Sequence, residues 1–221
     1  SDLGILVYLK LEDLTKNIKG NEVLKNINLE LDGPCIYGFF GRNGSGKTML
    51  FRIISGLVKP TSGNIYIGEK KIDSFTSKNL NLGVLIETPK FWDNYTGFEN
   101  LKALSMIKRI IKDEDIINTL ERVGLDPYNK KKVKTYSLGM KQKLGIAQAI
   151  MEKPDLIILD EPTNALDEES IINIREILRE EKKRGATILI CSHNSEDLNL
   201  LCDKKFKMVD VSLEVCDYEK N

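Results

Sequence analysis

Short apolar segments of strand length alternate along this chain with longer segments whose apolar residues recur at helical spacing. Such alternation is typical of α/β proteins. Leu156–Leu159 and Thr187–Cys191 are continuously apolar, which predicts central strands of a parallel sheet that are covered on both faces. Val23–Leu31 partly alternates polar with apolar residues, which predicts an antiparallel layer with one face in solvent. Strands are predicted at Tyr8–Thr15, Val23–Leu31, Cys35–Phe40, Asn64–Ile67, Leu82–Ile86, Leu156–Asp160, Thr187–Ser192 and Phe206–Val209.

The apolar spacing becomes helical between residues 96 and 123. Thr96 and Glu99 have the spacing of a capping box at the start of the first helix, and a second helix is predicted at Glu114–Val123. One apolar face of the first helix is predicted to contain Leu101, Leu104, Ile107 and Ile111. We predict a single domain over residues 1–221, with its core at residues 1–87 and 153–221. Because these helices interrupt the α/β pattern, we predict that they form an inserted helical subdomain at about residues 88–152.

Acidic and basic residues balance, with 33 Lys and Arg against 33 Asp and Glu, so the formal net charge is zero. Proteins held by nucleic-acid phosphates normally have a surplus of basic residues, and no nucleic-acid partner is therefore expected. No apolar segment approaches the ~20 residues that span a bilayer. The four cysteines include no C-x-x-C pair, so neither a zinc site nor a disulfide framework is indicated. These properties predict a cytosolic protein with reduced thiols.

A phosphate-binding loop is indicated by Gly41–Thr48, which matches the pattern G-x-x-x-x-G-K-[ST] at every fixed position between a predicted strand and a predicted helix. Glycines let backbone N–H groups crowd around phosphate oxygens. Lys47 would bring a positive charge to the β and γ phosphates, and Thr48 would offer a hydroxyl to Mg²⁺. The predicted nucleotide-binding residues of this loop are Gly41, Arg42, Asn43, Gly44, Ser45, Gly46, Lys47, Thr48 and Met49.

Two adjacent carboxylates, Asp160 and Glu161, end the apolar segment that begins at Leu156. Ligands of parallel α/β sheets bind at the carboxyl ends of the strands, and neighbouring strand residues point to opposite faces. We therefore expect the two side chains to divide the work. Asp160 would hold Mg²⁺ directly or through water, and Glu161 would act as the general base that polarises the attacking water.

The class of phosphate-loop protein is indicated by Tyr136–Gln142, which resembles the LSGGQ signature of ATP-binding-cassette (ABC) ATPases. Ser137 and Gly139 match that motif, whereas Leu138 and Met140 replace a Gly and a Gln. The resemblance implies that Ser137 and Gly139 contact ATP held by the phosphate loop of another subunit.

Two later motifs follow the order found in the same family. Pro162–Asp167 resembles the D-loop, in which Asp167 would also cap a helix predicted at Glu168–Arg184. His193, the single histidine, is similar in position to the switch histidine that contacts the γ-phosphate. Asp167 and His193 are accordingly expected to serve catalysis together with Glu161. The resemblance extends from about residue 11 to about residue 208 and implies a P-loop NTPase fold with a mostly parallel central sheet.

The sequence departs from the family pattern at two positions. Ile18 stands near the place where relatives commonly have an aromatic residue that stacks on adenine, and offers only apolar contact. Glu87 stands where the usual residue is Gln, so Mg²⁺ would meet a charged ligand at this position. The predicted metal ligands are Thr48, Glu87 and Asp160. Glu87 is also expected to serve catalysis, together with Glu161, Asp167 and His193. We hypothesise that Glu87 makes ATP binding more dependent on Mg²⁺ than Gln would, because its charge opposes the phosphates until metal is bound.

The chain resembles one subfamily in particular, the ATPases of bacitracin-resistance and lantibiotic-immunity transporters. The resemblance rests on Glu87, the following Thr88-Pro89-x-Phe91 and the variant signature. The resemblance implies a homodimer or pseudo-dimer of ATPase subunits that closes on ATP, bound to integral membrane permease subunits. The chain would then be peripheral on the cytoplasmic face of the cell membrane. A groove for a permease helix is one interpretation of nearby aromatic residues, and burial within the helical subdomain is the other; these residues are Phe91, Trp92, Tyr95 and Phe98.

Two other functions compete with the transporter ATPase. A soluble ABC ATPase that acts on ribosomes or DNA typically has two cassettes or a long coiled-coil insertion, for which 221 residues are too few. A small-molecule kinase would leave the signature-like segment and the order of Asp167 and His193 unexplained. The chain ends soon after Met208, so no added regulatory domain is expected.

Overall fold

The computed structural model of the chain describes residues 7–73 and 80–216. Within these ranges the strands are β1 (Val7–Ile18), β2 (Asn21–Asp32), β3 (Ile36–Gly41), β4 (Ser62–Ile67), β5 (Lys70–Lys71), β6 (Leu82–Leu85), β7 (Leu156–Asp160), β8 (Thr187–Cys191), β9 (Lys204–Val209) and β10 (Ser212–Cys216). The helices are α1 (Lys47–Ile54), α2 (Gly97–Lys108), α3 (Asp113–Arg122), α4 (Leu138–Ile150), α5 (Glu168–Arg184) and α6 (Ser195–Leu201).

The strands form two sheets. The smaller sheet has the order β2-β1-β4-β5 and is antiparallel. The larger sheet has the order β10-β9-β3-β8-β7-β6 and is parallel except for β10 at its edge. The predicted fold class, a mostly parallel sheet with an N-terminal antiparallel layer, is confirmed.

Burial explains why the two sheets have different sequence patterns. The β7 and β8 strands are interior strands of the larger sheet. Every residue of β8 and the first four residues of β7 are buried, so their continuous apolar composition follows from cover on both faces. In β2, Leu24, Ile27, Leu29 and Leu31 are buried while the residues between them are exposed or partly exposed, as expected for one wet face.

Helix α1 joins the two sheets. Its apolar side chains belong to the same buried cluster as Leu9 and Leu11 of β1 and Phe39 of β3. Phe39 and Phe51 pack edge to face with ring centroids 5.3 Å apart, a favourable arrangement of aromatic rings. The loop between β3 and α1 is therefore anchored at both ends in the core.

For α2, the predicted start at Thr96 is confirmed, and the predicted apolar face is partly wrong. Thr96 caps α2, with Thr96 Oγ1 accepting from Glu99 N and Glu99 Oε1 accepting from Thr96 N, both at 3.1 Å. The apolar face extends only to Leu101 and the partly buried Leu104. Ile107 is 77% exposed, because two steps of three residues place it about 120° around the helix from Leu101. Ile111 lies beyond α2, which ends at Lys108.

The inserted helices share a continuous core with the larger sheet. Leu101 of α2, Ile116 of α3 and Leu144 of α4 are fully buried in one cluster that also contains Ile157 and Ile188. This shared cluster holds α4 against the larger sheet, where β6 is the strand that α4 contacts. The residue limits of the helical subdomain stay a prediction.

Candidate functional site

The loop between β3 and α1 has the backbone of a phosphate cradle. Gly46 precedes α1 with φ 102°, in the left-handed region that glycine adopts readily. A Cβ at Gly46 would lie 2.8 Å from Leu24 Cδ2 and 2.9 Å from Val23 O, so no larger residue fits without displacing β2. Ser45 Oγ is buried and has no hydrogen-bond partner among the described residues. Free N–H groups at a helix start and an unsatisfied hydroxyl fit an anionic ligand.

Lys47 lies at the base of this cradle. The residue is 6% exposed, its Nζ donates a hydrogen bond to Gly41 O, and Nζ lies 3.3 Å from His193 Nε2. A buried ammonium with few partners suits a site for phosphate. The cradle opens into a cavity of about 420 Å³ lined by Val23, Asn43, Gly44, Gly46, Lys47, Thr48, Met49, Arg52, Asp160, Glu161, Cys191 and His193.

Asp160 lies at the end of β7 and faces this cavity. Strand pairing places Asp160 beside Cys191 of β8. Burial raises the pKa of the Asp160 carboxyl above its ordinary value, although a hydrogen bond with the Cys191 thiol and the charge of Lys47 act in the opposite direction. Asp160 and Thr48 therefore present oxygen atoms to the same cavity, and oxygen ligands are those that Mg²⁺ prefers.

Glu161 has a backbone conformation that is unusual for a residue other than glycine, with φ 50°. Its Oε1 accepts a hydrogen bond from His193 N at 2.9 Å and lies 3.5 Å from His193 Nε2. Burial raises the pKa of Glu161, and the His193 side chain opposes this shift. A partly buried carboxylate with a raised pKa has the character of a general base.

Glu87 lies in a second cavity, of about 350 Å³, that shares Asp160 and Glu161 with the first. Its carboxylate forms an ion pair with Arg52 of α1. This pairing was not expected from the sequence, and it means that Glu87 already has a cationic partner in this structure. The sequence does indicate that Arg52 is near the site, since it lies one turn beyond Thr48 on the same face of α1.

The predicted signature residues do not line the cavity of the phosphate loop in their own chain. Ser137 is exposed and caps α4, with Oγ accepting from Met140 N at 3.1 Å. Gly139 lies in the first turn of α4. Both residues are presented at an exposed helix N-terminus, where backbone N–H groups favour an anion.

Asp167 and Ile18 also lie outside that cavity. Asp167 caps α5, with Oδ1 accepting from Ser170 N at 2.8 Å, and its hydrogen bonds with Ser170 lower its pKa. The predicted helix Glu168–Arg184 is therefore confirmed. Ile18 ends β1 and is 39% exposed, and Val23 of β2 reaches the cavity instead. The roles of Asp167 and Ile18 toward nucleotide stay predictions.

An aromatic groove lies on the inserted helices. Trp92 and Tyr95 are 52% and 51% exposed and pack edge to face with centroids 6.5 Å apart, so burial does not account for these two residues. Phe91 and Phe98 are partly buried against the core. The groove has a volume of about 470 Å³ and is lined by Trp92, Tyr95, Phe98, Glu99, Lys102 and Ala103.

Two kinds of feature are absent from residues 7–73 and 80–216. No helix in these ranges is both long enough and apolar enough to cross a membrane. No group of three or more His, Cys, Asp or Glu side chains in them could hold a metal ion by itself. Mg²⁺ commonly uses only one or two carboxylates and completes its shell with water and phosphate oxygens, which suits the two-residue set of Thr48 and Asp160.

Comparisons with known proteins agree on one family. The family model described as ABC transporter matches residues 24–164. The chain is 49% identical over 205 residues to the uncharacterized ABC transporter ATP-binding protein YybJ of Bacillus subtilis, covering 93% of this chain and 94% of that protein.

Two further relatives have more specific names. The bacitracin transport ATP-binding protein BcrA of Bacillus licheniformis is 42% identical, and the match covers 88% of this chain and 64% of BcrA. The chain therefore spans just under two thirds of BcrA. The lantibiotic transport ATP-binding protein SrtF of Streptococcus pyogenes is 36% identical, with coverage of 88% and 84%.

Solved structures show the same fold. The ATP-binding cassette MJ0796, a dimer in a post-hydrolysis state bound to ADP and Pi, superposes with a TM-score of 0.86 at 24% identity, covering 93% of this chain and 96% of the other. An ATP-binding subunit of an ABC transporter superposes with a TM-score of 0.85 at 27% identity, covering 93% and 88%.

Proposed function

Because the chain belongs to the ABC transporter family of ATP-binding proteins, we propose that two of its copies, or one copy and a related subunit, hydrolyse MgATP to power a membrane permease. ATP hydrolysis is the activity of the family, and we propose the metal, the partners and the cargo below. The observation that carries them is one cavity that joins a phosphate cradle, a buried lysine and two carboxylates.

Each part of the cavity has a chemical role toward ATP. The backbone of Gly41–Gly46 and the Lys47 ammonium would bind the β and γ phosphates. Thr48 and Asp160 would hold Mg²⁺, which supplies charge neutralisation at the phosphates when it is bound. Glu161 would accept a proton from the attacking water. His193, whose backbone N–H donates a hydrogen bond to Glu161 Oε1, would contact the γ-phosphate.

The position of Ser137 supports a dimer. Ser137 and Gly139 lie at an exposed helix start that does not reach the phosphate cavity of the same chain. A head-to-tail pair would place this helix start against nucleotide bound by the other subunit and close two ATP molecules in one interface. Loss of the γ-phosphate would remove that contact and let the pair open.

Glu87 gives this site a measurable dependence on metal. We expect the ratio of the ATP dissociation constants without and with Mg²⁺ to fall roughly fivefold in Glu87→Gln. This corresponds to about 1 kcal/mol, the upper range for a solvent-exposed charge interaction, because the Glu87 carboxylate is half exposed and Arg52 neutralises part of its charge. A fluorescent ATP analogue titrated in EDTA and in Mg²⁺ gives both constants.

The matched control for this titration is Glu69→Gln, since Glu69 is exposed in the turn between β4 and β5. Its ratio should equal that of the wild type. An unchanged ratio in Glu87→Gln would show that Arg52 cancels the charge of Glu87 and that metal dependence does not originate there.

The permease is proposed to dock at the aromatic groove. Exposed aromatic side chains beside Glu99 and Lys102 provide apolar contact area with a polar rim, which is typical of a groove that receives a helix. The similarity to bacitracin and lantibiotic transport proteins suggests a peptide antibiotic as the cargo, exported or removed as part of immunity. The chain would then be cytoplasmic and peripheral on the membrane.

Affinity purification of the chain from membranes of its native host tests this proposal. Recovery with an integral membrane protein that is lost in Trp92→Ala/Tyr95→Ala supports it. Recovery with RNA, unaffected by that double substitution, would favour a soluble ABC ATPase that acts on ribosomes or nucleic acid and would contradict the transporter role.

A further inference from the structure

Gln142 is a buried side chain that connects α4 to the backbone at Glu161. It is 9% exposed, and its Nε2 donates hydrogen bonds to Glu161 O at 3.0 Å and to Pro162 O at 3.1 Å. The donor and its acceptors are 19 and 20 residues apart in sequence. A single amide group therefore joins the inserted helices to the turn that follows β7.

This turn determines where the Glu161 side chain points. Glu161 has φ 50°, a conformation that persists in a residue other than glycine when the surrounding structure enforces it. Glu161 N donates to Cys191 O at 2.8 Å, and Glu161 O also accepts from Asn164 N at 3.1 Å. Without the amide of Gln142, Pro162 O would lose a buried hydrogen bond, and buried carbonyl groups are normally paired.

The turn has a second anchor on the opposite side. Thr163 Oγ1 donates to the buried carboxylate of Asp197 in α6, and Asp197 Oδ1 accepts from Arg175 Nε at 2.8 Å. This anchor belongs to the core. Gln142 is different because it is part of the helix whose N-terminus carries Ser137 and Gly139.

Helix α4 transmits position along its length. Ser137 caps its first turn, and Gln142 lies five residues further on, at a rise of about 7.5 Å along the axis. A hydrogen-bonded helix moves as one body over this distance. A shift of the Ser137 end therefore also moves the Gln142 amide relative to Glu161 O and Pro162 O.

We propose that Gln142 is a positioning residue, which sets the orientation of Glu161 according to the position of α4. The inference rests on the proposed function, in which Ser137 of one subunit contacts the nucleotide held by the other. Glu161, the general base for the ATP bound by one subunit, is then aligned when α4 of that same subunit contacts the ATP bound by the other subunit. Hydrolysis at the two sites is thereby coupled through a side-chain amide inside each subunit.

Gln142→Met tests this role, since Met has a similar length and offers no donor. We expect kcat for ATP hydrolysis to fall roughly ten- to a hundredfold, the usual effect of a slightly misplaced catalytic group, with KM changed less than threefold. Because ATP is bound but slowly hydrolysed, light scattering should detect a dimer in MgATP that the wild type does not accumulate. Gln142→Glu, with two acceptors facing two carbonyl oxygens, should lose at least as much activity.

Gln148→Met is the matched control. Gln148 lies on the same helix and donates its amide to another backbone carbonyl, Val84 O in β6. The loss of that bond should lower the thermal midpoint to a similar extent and leave kcat within twofold.

The outcomes separate the two proposals. A wild-type chain that neither hydrolyses ATP nor dimerises contradicts the proposed function itself. A wild-type chain that hydrolyses ATP, with Gln142→Met matching it in kcat, contradicts only the positioning role. Equal losses of kcat in both Met variants, or a Gln142→Met protein that loses ATP binding and the dimer together with activity, would show a structural role and overturn the inference.

Discussion

Substitution of Glu161 by glutamine is expected to reduce ATP hydrolysis by roughly two to four orders of magnitude, the usual share of a general base, while ATP binding is retained. Glutamine has the same size as glutamate, and its Oε1 can still accept the hydrogen bond from His193 N. The substitution removes the negative charge and, with it, the capacity to take a proton from water. Phosphate release measures the rate, and light scattering in MgATP should show that the variant accumulates as a dimer.

Glu69→Gln provides the comparison for that experiment, because it removes the same charge at an exposed turn. It should hydrolyse ATP at the wild-type rate. The proposed mechanism would fail if Glu161→Gln retained more than a tenth of the activity, or if it bound ATP only as a monomer.

The second large effect is expected for Lys47→Met, which should weaken ATP binding about ten- to a hundredfold. Charge-assisted hydrogen bonds contribute about 1.5–3 kcal/mol, and each 1.4 kcal/mol corresponds to about tenfold in affinity. The charge of Lys47 also opposes the rise in pKa that burial causes in the carboxyls of Asp160 and Glu161. Its removal therefore leaves two acidic groups facing the phosphates without the positive charge of this lysine.

Isothermal titration calorimetry with ATP and Mg²⁺ measures this loss. Lys183→Met removes an exposed lysine in the last turn of α5 and should bind ATP with the wild-type dissociation constant. Equal affinities for Lys47→Met and the wild type would mean that the cradle binds phosphate through its backbone alone.

The sequence predicted those parts of the molecule whose cause is local. The capping box at Thr96 and Glu99 and the helix start at Asp167 depend on residues three positions apart, and both were confirmed. The strands at the middle of the larger sheet were recognised because a strand covered on both faces must be apolar throughout. The phosphate loop combines a fixed motif with its strand and helix, and the structure has that arrangement.

Features that arise from tertiary contacts were missed or wrong. The ion pair of Arg52 with Glu87 joins α1 to the segment after β6. The spacing from Thr48 placed Arg52 near the site, but nothing in α1 indicated that Glu87 would be its partner. The hydrogen bonds of Gln142 depend on the packing of α4 against the turn after β7. Ile107 was assigned to the buried face by its spacing alone, although that spacing drifts from the period of the helix. The β5 strand and the short α6 were not predicted, because each has too few residues for a clear pattern. The β10 strand was also missed, although Ser212–Val215 alternates polar and apolar residues.

The exposed start of α4, which lies away from the phosphate cavity of its own chain, has a consequence for how this protein works in a cell. Free copies at low abundance would rarely dimerise and would therefore hydrolyse little ATP. The proposed permease, by tethering two copies side by side, would raise their effective concentration to the millimolar range without any new contact between them. Copies without a permease would then hydrolyse little ATP, and hydrolysis would be confined to assembled transporters.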